Sequence, residues 1–555
     1  MQVPTIKVRA AGTHHRLRVL RTAFIVFAVL LVSMLLGAGQ LWAQCGSLSA
    51  PSTTWQNGGN SFWDLSGNWT SGTPTASTNA CILNGTSTVT LDTKGKANGL
   101  QLATGNTLDI TAVGSLSLLG SSFNFGTLNN SGSFSNKGTI NGTPLLTNLG
   151  SINNSGTFHN SGTINTGDFT NTGSIMNSGT LNQGGLFSTA SGNLTNNGSI
   201  TNTGTIFTNE NSLLNNFGII NNRNLITTFA FSEINNSGIL NNTGTILIGD
   251  GSSVLTNAGT LNNSGTITAG LANTGTLNNK GTYNNVFGGG NTGVINNTGT
   301  FSNDGGINSG TINNSGTINN SAFENTGSIT NQGRFNVTGT FDNTGSFTTS
   351  GRVTVSNAGV FTTSTDYTQT GGRTIVNGTL TATGGAIVDI EGGKLSGTGT
   401  INGDVLMKGM MSPGAGGVPG TFTVNGNYQQ TPTGVFDEII KGASSNGVLD
   451  VTGLLALDPG SLLKITLEGG FDPVGDSFTI LDYGSLSGEF GNGTSFMADG
   501  YNWTLTYGPG DAILTAVSGD PVNTPEPGTI ALLAFGFLPL LGYAAKRRSP
   551  AGRNS

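Results

Sequence analysis

Charged residues make up only 9% of this 555-residue chain, against roughly 25% in an ordinary soluble domain. That scarcity argues against a typical cytosolic enzyme, a helical bundle or a coiled coil. Histidine is rarer still: His14 and His15 lie near the N-terminus, which leaves His159 alone in the body. A Ser-His-Asp triad, a Cys-His nucleophile pair and a histidine-rich metal site therefore all lack parts. No P-loop or dinucleotide fingerprint falls in a strand-turn-helix context. Gly249-Asp250-Gly251 and Gly288-Gly289-Gly290-Asn291 lack the repeated aspartates of calcium-binding turns. The sequence thus gives no catalytic, cofactor-binding or metal residue, and the expectation is a protein that is not an enzyme. Cysteine occurs twice, at Cys45 and Cys81, which form one disulfide in an exported protein or remain two free thiols. Proline is limited to 15 residues and glycine does not fall on every third position, so collagen is excluded.

What is abundant is glycine, 90 residues in all, more than double the usual share of roughly 7%. The formal net charge of -6 hides an uneven distribution, because residues 44–545 hold 12 cations against 27 acids. Such a body repels nucleic-acid phosphates, so no nucleic-acid partner is expected. An apolar fraction of 35% with evenly spaced Ile, Leu and Phe is not the composition of a disordered tract.

From Gly126 onward a loose hexad, Gly-Thr/Ser-apolar-x-Asn-x, repeats with apolar residues at 128, 134, 140, 146, 152, 158 and 164, and again at 323, 329, 335, 341 and 347. A helix would scatter these side chains about 240° apart. Short strands of about three residues separated by turns satisfy the spacing. Each strand points its central apolar residue inward and its Thr and Asn outward. Gly and Asn are expected at the corners, where both tolerate a left-handed backbone. Stacking gives an all-β, parallel β-solenoid, with about 18 residues per coil and about 19 coils over residues 85–430. Asn recurring at one corner suggests side-chain amide ladders along the axis. The hexads suggest a left-handed solenoid; the slips of five or seven residues favour a right-handed one.

The two ends read as addresses. Arg16, Arg18 and Arg21 precede the apolar run Ala23–Leu36, and Leu41-Trp42-Ala43 offers a cleavage site; residues 1–43 are a signal peptide for Sec-type export and signal peptidase, or an uncleaved anchor. At the other end Pro525-Glu526-Pro527 is followed by the apolar segment 528–545, long enough for a membrane helix, and by the basic stop Lys546-Arg547-Arg548. This three-part order closely resembles the PEP-CTERM sorting signal of Gram-negative bacteria over residues 521–555. The resemblance implies transient anchoring in the inner membrane, processing by an exosortase, and delivery to the cell surface or release.

Between these ends three regions are distinguished: 44–120, the hexad body 121–351, and 352–520 with longer strands such as Leu462–Leu467. Trp55, Trp63 and Trp69 concentrate in the first and suggest a cap on the first coils, or an exposed platform for stacking sugars. The Asn68-Trp69 element resembles the start of autotransporter-like β-helix proteins. Ser412-Pro413-Gly414, Pro419–Tyr428 and Gly470–Phe478 resemble the end of autotransporter passenger domains. That resemblance also favours the right-handed form. No room remains after Asp520 for an outer-membrane barrel, so the sorting tail is expected to replace self-secretion.

The close acid pairs are Asp389/Glu391, with Lys394 as ion-pair partner, and Asp437/Glu438, all expected to be solvated. They are what a pectinase-like β-helix enzyme would use. The preferred expectation is a surface or extracellular-matrix structural or adhesive protein, with extracellular polysaccharide as a candidate partner. The alternatives are that carbohydrate-active enzyme and an ice-binding adhesin using pairs such as Thr127/Asn129 and Thr163/Asn165. For the last, the slips are expected to break the lattice match.

Overall fold

A computed structural model describes residues 50–141, 151–166, 168–183, 192–208, 211–229, 231–249 and 253–519. The signal segment, Cys45, the sorting motif Pro525–Pro527, the apolar segment 528–545 and Lys546–Arg548 lie outside them. No helix among the described residues is long and apolar enough to cross a membrane.

The chain is all-β and forms a parallel β-solenoid of about 16 turns. It divides into two compact units, Met1–Thr374 with Gly378–Ile387, and Ile375–Asn377 with Val388–Ser555. In the first unit a representative coil has three strands, Val254–Asn257, Thr260–Asn263 and Thr266–Thr268. Each pairs in parallel with its counterpart in the next coil, as Asn257 with Asn273, Asn263 with Asn279 and Ile267 with Tyr283. Consecutive hexads therefore go to three successive faces, here called first, second and third. Every face collects only every third hexad.

Most strands hold four residues and alternate outward, inward, outward, inward. The first inward residue is the apolar one, such as Leu255 or Leu261, with no exposed surface; each such burial contributes roughly 1.5–3 kcal/mol. Near the end of the first unit the core is aromatic, with Phe335, Phe341, Phe347, Phe361 and Tyr367 meeting at centroid distances of 4.7 to 5.8 Å. The second inward residue is asparagine, expected at a corner and found instead inside the coil. Its burial is compensated by its neighbours. On the first face Asn130 donates its side-chain N–H to Asn154 at 2.7 Å, Asn154 donates to Asn171, and the column continues through Asn257 and Asn343 to Thr363. A second column runs from Asn136 to Thr349 on the second face. The amides also donate to backbone carbonyls, as Asn257 does to Gly259 and Thr276. A carbonyl only accepts, so these bonds fix which end of each amide points forward.

The corners depart from expectation in their physics. Gly259 and Gly275 follow the inner asparagines, yet neither has a positive φ. A Cβ on Gly275 would stand 2.2 Å from the carbonyl oxygen of Gly259, and one on Gly259 equally close to that of Gly238. Glycine is required by the close stacking of corner on corner, not by left-handed backbone. Coil length also varies along the first-face column, from 16 residues between Asn257 and Asn273 to 25 between Asn171 and Asn196. Leu128 pairs with Ile152, so that coil holds a surplus hexad and Leu146 falls outside the described residues. Longer coils explain why there are fewer turns than an 18-residue coil predicts.

At the start, Trp55, Trp63 and Trp69 are buried to 1–2% exposure. They meet edge to face at 5.1 and 5.0 Å, and the Trp69 indole donates to the Trp63 carbonyl at 2.7 Å. That is a packed core and no sugar platform. In the second unit parallel pairing continues, as Val388–Ile390 with Val405–Met407 and Thr421–Val424 with Val448–Val451. It ends in antiparallel pairs, Ser477–Gly488 with Asp511–Gly519 and Ser495–Ala498 with Tyr501–Tyr507.

Candidate functional site

Sorting side chains by face separates their charges. The first face carries outward acids, among them Asp109, Glu233, Glu324 and Asp342, and from Thr107–Ile110 to Val360–Thr363 the strand segments on it hold no cation. Arg334 and Arg352 lie on the third face. The second face is different. From Ser115–Leu118 to Ser346–Thr349 its strands contain no Asp, Glu, Lys or Arg. His159, exposed as expected, lies on it. Its only charged borders are Lys137, Arg223 and Lys280, at the corners towards the third face.

The slips do not reach this face. Each of its strands pairs residue for residue with the next and shows no register shift. Insertions are absorbed at corners, and the shifts that do occur fall between the third and first faces, at Asn303–Ile307 and Asn320–Ala322. Thr127/Asn129 and Thr163/Asn165, paired above as one array, sit on the first and third faces respectively.

A second amide column runs along the outside of the second face. Asn241 donates to Asn221, Asn262 to Asn241, Asn278 to Asn262, Asn296 to Asn278 and Asn313 to Asn296, at 2.8–2.9 Å. It points towards the N-terminus, opposite to the inner column. Sequence reasoning missed it; the signal was the doubled Asn-Asn, visible only once every third hexad is aligned.

The chain matches no protein-family model and no curated protein. Cys81 is fully buried and disulfide-bonded; Cys45 is the only other cysteine and lies outside the described residues. Of the acids expected to be solvated, Glu391 is exposed and Asp389 half-buried, whereas Asp437 and Glu438 are buried. Asp389 is held by Lys408 at 3.2 Å, and Glu391 by the same lysine at 3.8 Å. Lys394 instead reaches Asp437 at 3.1 Å, opposite Lys464 at 2.8 Å. Burial pushes the Asp437 carboxyl up, but hydrogen bonds and charge from Lys464 and Lys394 outweigh it and hold it below the usual range. Glu438 is fully buried. Burial drives its carboxyl well above the ordinary value, the Asp437 charge adds to this, and the Gly447 N–H and the Asn446 side chain oppose it. One oxygen accepts from Gly447 at 2.7 Å, and the other has no partner. Two carboxyls pushed apart suit acid-base work in an open cleft, but here one is in the core and the other is clamped between lysines. Among the described residues no group of three His, Cys, Asp or Glu is placed to hold a metal.

Proposed function

We propose that the chain is an exported, surface- or matrix-associated structural or adhesive protein. In this reading residues 1–43 direct Sec-type export, and Pro525-Glu526-Pro527, the segment 528–545 and Lys546-Arg547-Arg548 act as a PEP-CTERM signal for an exosortase. The body is an autotransporter-like, right-handed β-helix; its unequal coils support that hand. The tryptophan core at one end and the antiparallel strands of the second unit act as caps on the apolar cross-section of the coils. The observation that carries the reading is the uninterrupted uncharged second face, an extended surface with no catalytic constellation on it. The disulfide-bonded Cys81 fits an oxidising compartment.

The test is fractionation with antibody against the body of the protein, combined with matrix cohesion in cells with and without the gene. Processed protein at the surface or in the medium, with weakened cohesion on deletion, is expected. Unprocessed protein in the cytosol overturns the reading. A carbohydrate-active enzyme finds little support, since Asp437 and Glu438 are occupied by lysines and core. The ice-binding alternative gains from the unbroken register of the second face, and absence of ice reshaping by the purified protein removes it.

A further inference from the structure

The part of the second face from Ile219 to Asn313 differs from the rest of it. Over six successive coils every first outward residue is β-branched, beginning with Ile219 and Ile239 and ending with Thr311, and every second one is a laddered asparagine. Both choices remove freedom. β-Branched side chains are stiff at χ1, and each amide in the column is pinned by its neighbours. Little side-chain entropy remains to be lost when a partner docks. Each inner member of the outer column uses one N–H and accepts one bond, which leaves a second N–H and a second lone pair. These groups recur at the strand spacing of about 4.8 Å, beside a row of methyl groups.

The strip measures about 29 Å by 13 Å from strand spacing and rise. Its roughly 380 Å² falls well short of the roughly 800 Å² per partner of a stable protein interface. It is wide enough for a single extended polymer. The strip itself carries no charge, and only Arg223 and Lys280 border it, at the corners towards the third face; an ionic ligand lying along all six coils would lose hydration with little compensation, which favours a neutral one. An extended β-linked sugar chain repeats along its axis on the scale of the strand spacing of about 4.8 Å, and it carries hydroxyls that donate and accept.

We propose that Asn221, Asn241, Asn262, Asn278, Asn296 and Asn313, with the flanking β-branched row, form a binding strip for a neutral, extended, β-linked polysaccharide laid along the solenoid axis. The proposal rests on the surface role above and specifies its ligand. Individual contacts are weak, and affinity accumulates along the strip.

The test uses the purified protein with cellulose and with cello-oligosaccharides of two to six sugars, alginate being the anionic comparison. Binding is expected to strengthen with oligosaccharide length, to exceed alginate binding at least tenfold, and to be insensitive to salt. Asn262→Asp with Asn296→Asp is expected to weaken it at least tenfold while the thermal midpoint stays within a few degrees. Thr195→Asp with Thr256→Asp, on the first face, is expected to leave it unchanged. If the strip pair fails to fold, Asn278→Ser alone is the readout, with a loss of severalfold. Equal binding by the strip variants, preference for alginate, strip-dependent dimerisation, or ice shaping without glucan binding each overturns the proposal. Fractionation separates the two ideas: surface protein whose strip variants bind normally defeats only the strip, whereas cytosolic protein defeats the surface role.

Discussion

The two units bury polar groups in different ways. In the first, the buried polar residue is a neutral amide, partnered by the same residue one coil away, as Asn236 by Asn257 at 2.7 Å. In the second, buried carboxyls are satisfied by individually placed groups: two lysines for Asp437, one backbone N–H for one oxygen of Glu438. A repeat lets one residue choice solve the same problem many times, and the solution does not titrate. Where the repeat stops, each site needs its own arrangement and acquires a pH dependence.

The comparison is broken most severely at a corner. Gly275→Val places a side chain 2.2 Å from the Gly259 carbonyl, and a loss of more than about 4 kcal/mol or no folded protein is expected by denaturant unfolding. A near-normal midpoint would show that the corners yield. Next comes the inner column: Asn257→Leu strands Asn273 without its donor and Asn236 without its acceptor, at about 1–3 kcal/mol. Asn241→Ser on the outer column is expected within about 0.5 kcal/mol. Equal effects would erase the distinction between structural and surface ladders.

In the second unit, Glu438→Gln sharpens the contrast. The folded carboxyl titrates above its unfolded value, so the native state holds the proton more tightly. Stability is fully present below the unfolded value near 4.5 and is lost as pH rises from there towards the folded value. The variant is expected to melt higher than the parent at pH 7 and to match it more closely at pH 4. A parallel pH profile would remove Glu438 as the cause. Lys441→Ala breaks an ion pair to Glu468 at 2.8 Å that is about one-third exposed on both sides. A small effect, below about 1 kcal/mol and reduced by salt, is expected there.

Much of this solenoid was legible in the sequence because Leu128, Phe134 and Ile140 mark three strands whose spacing no helix accommodates. The amide column was legible for a related reason, since Asn recurs with the glycine. What escaped needed a third dimension. Nothing local in Asn171–Asn196 says that this coil takes 25 residues, because corner insertions leave the strands unchanged. The neutral face was hidden because adjacent hexads, such as those of Leu128 and Phe134, belong to different faces. The partners of Asp437 escaped because Lys394 and Lys464 are remote in sequence and arrive only through coil stacking.

The one-way inner amide column has a consequence for inheritance. Each asparagine receives from the coil before and gives to the coil after, so one coil is chemically interchangeable with its neighbour. Duplicating or deleting the stretch from one asparagine to its partner, such as 236–257, reproduces the same bond at the new seam. Recombination between near-identical hexads can thus lengthen or shorten this body by whole coils without inventing a contact. The two ends of the column are not equivalent. Asn130 faces Ile110 and its oxygen has no donor, whereas Thr363 accepts from Asn343 and its hydroxyl donates to the Thr365 carbonyl. Length can drift in the middle, and only the termini are unique.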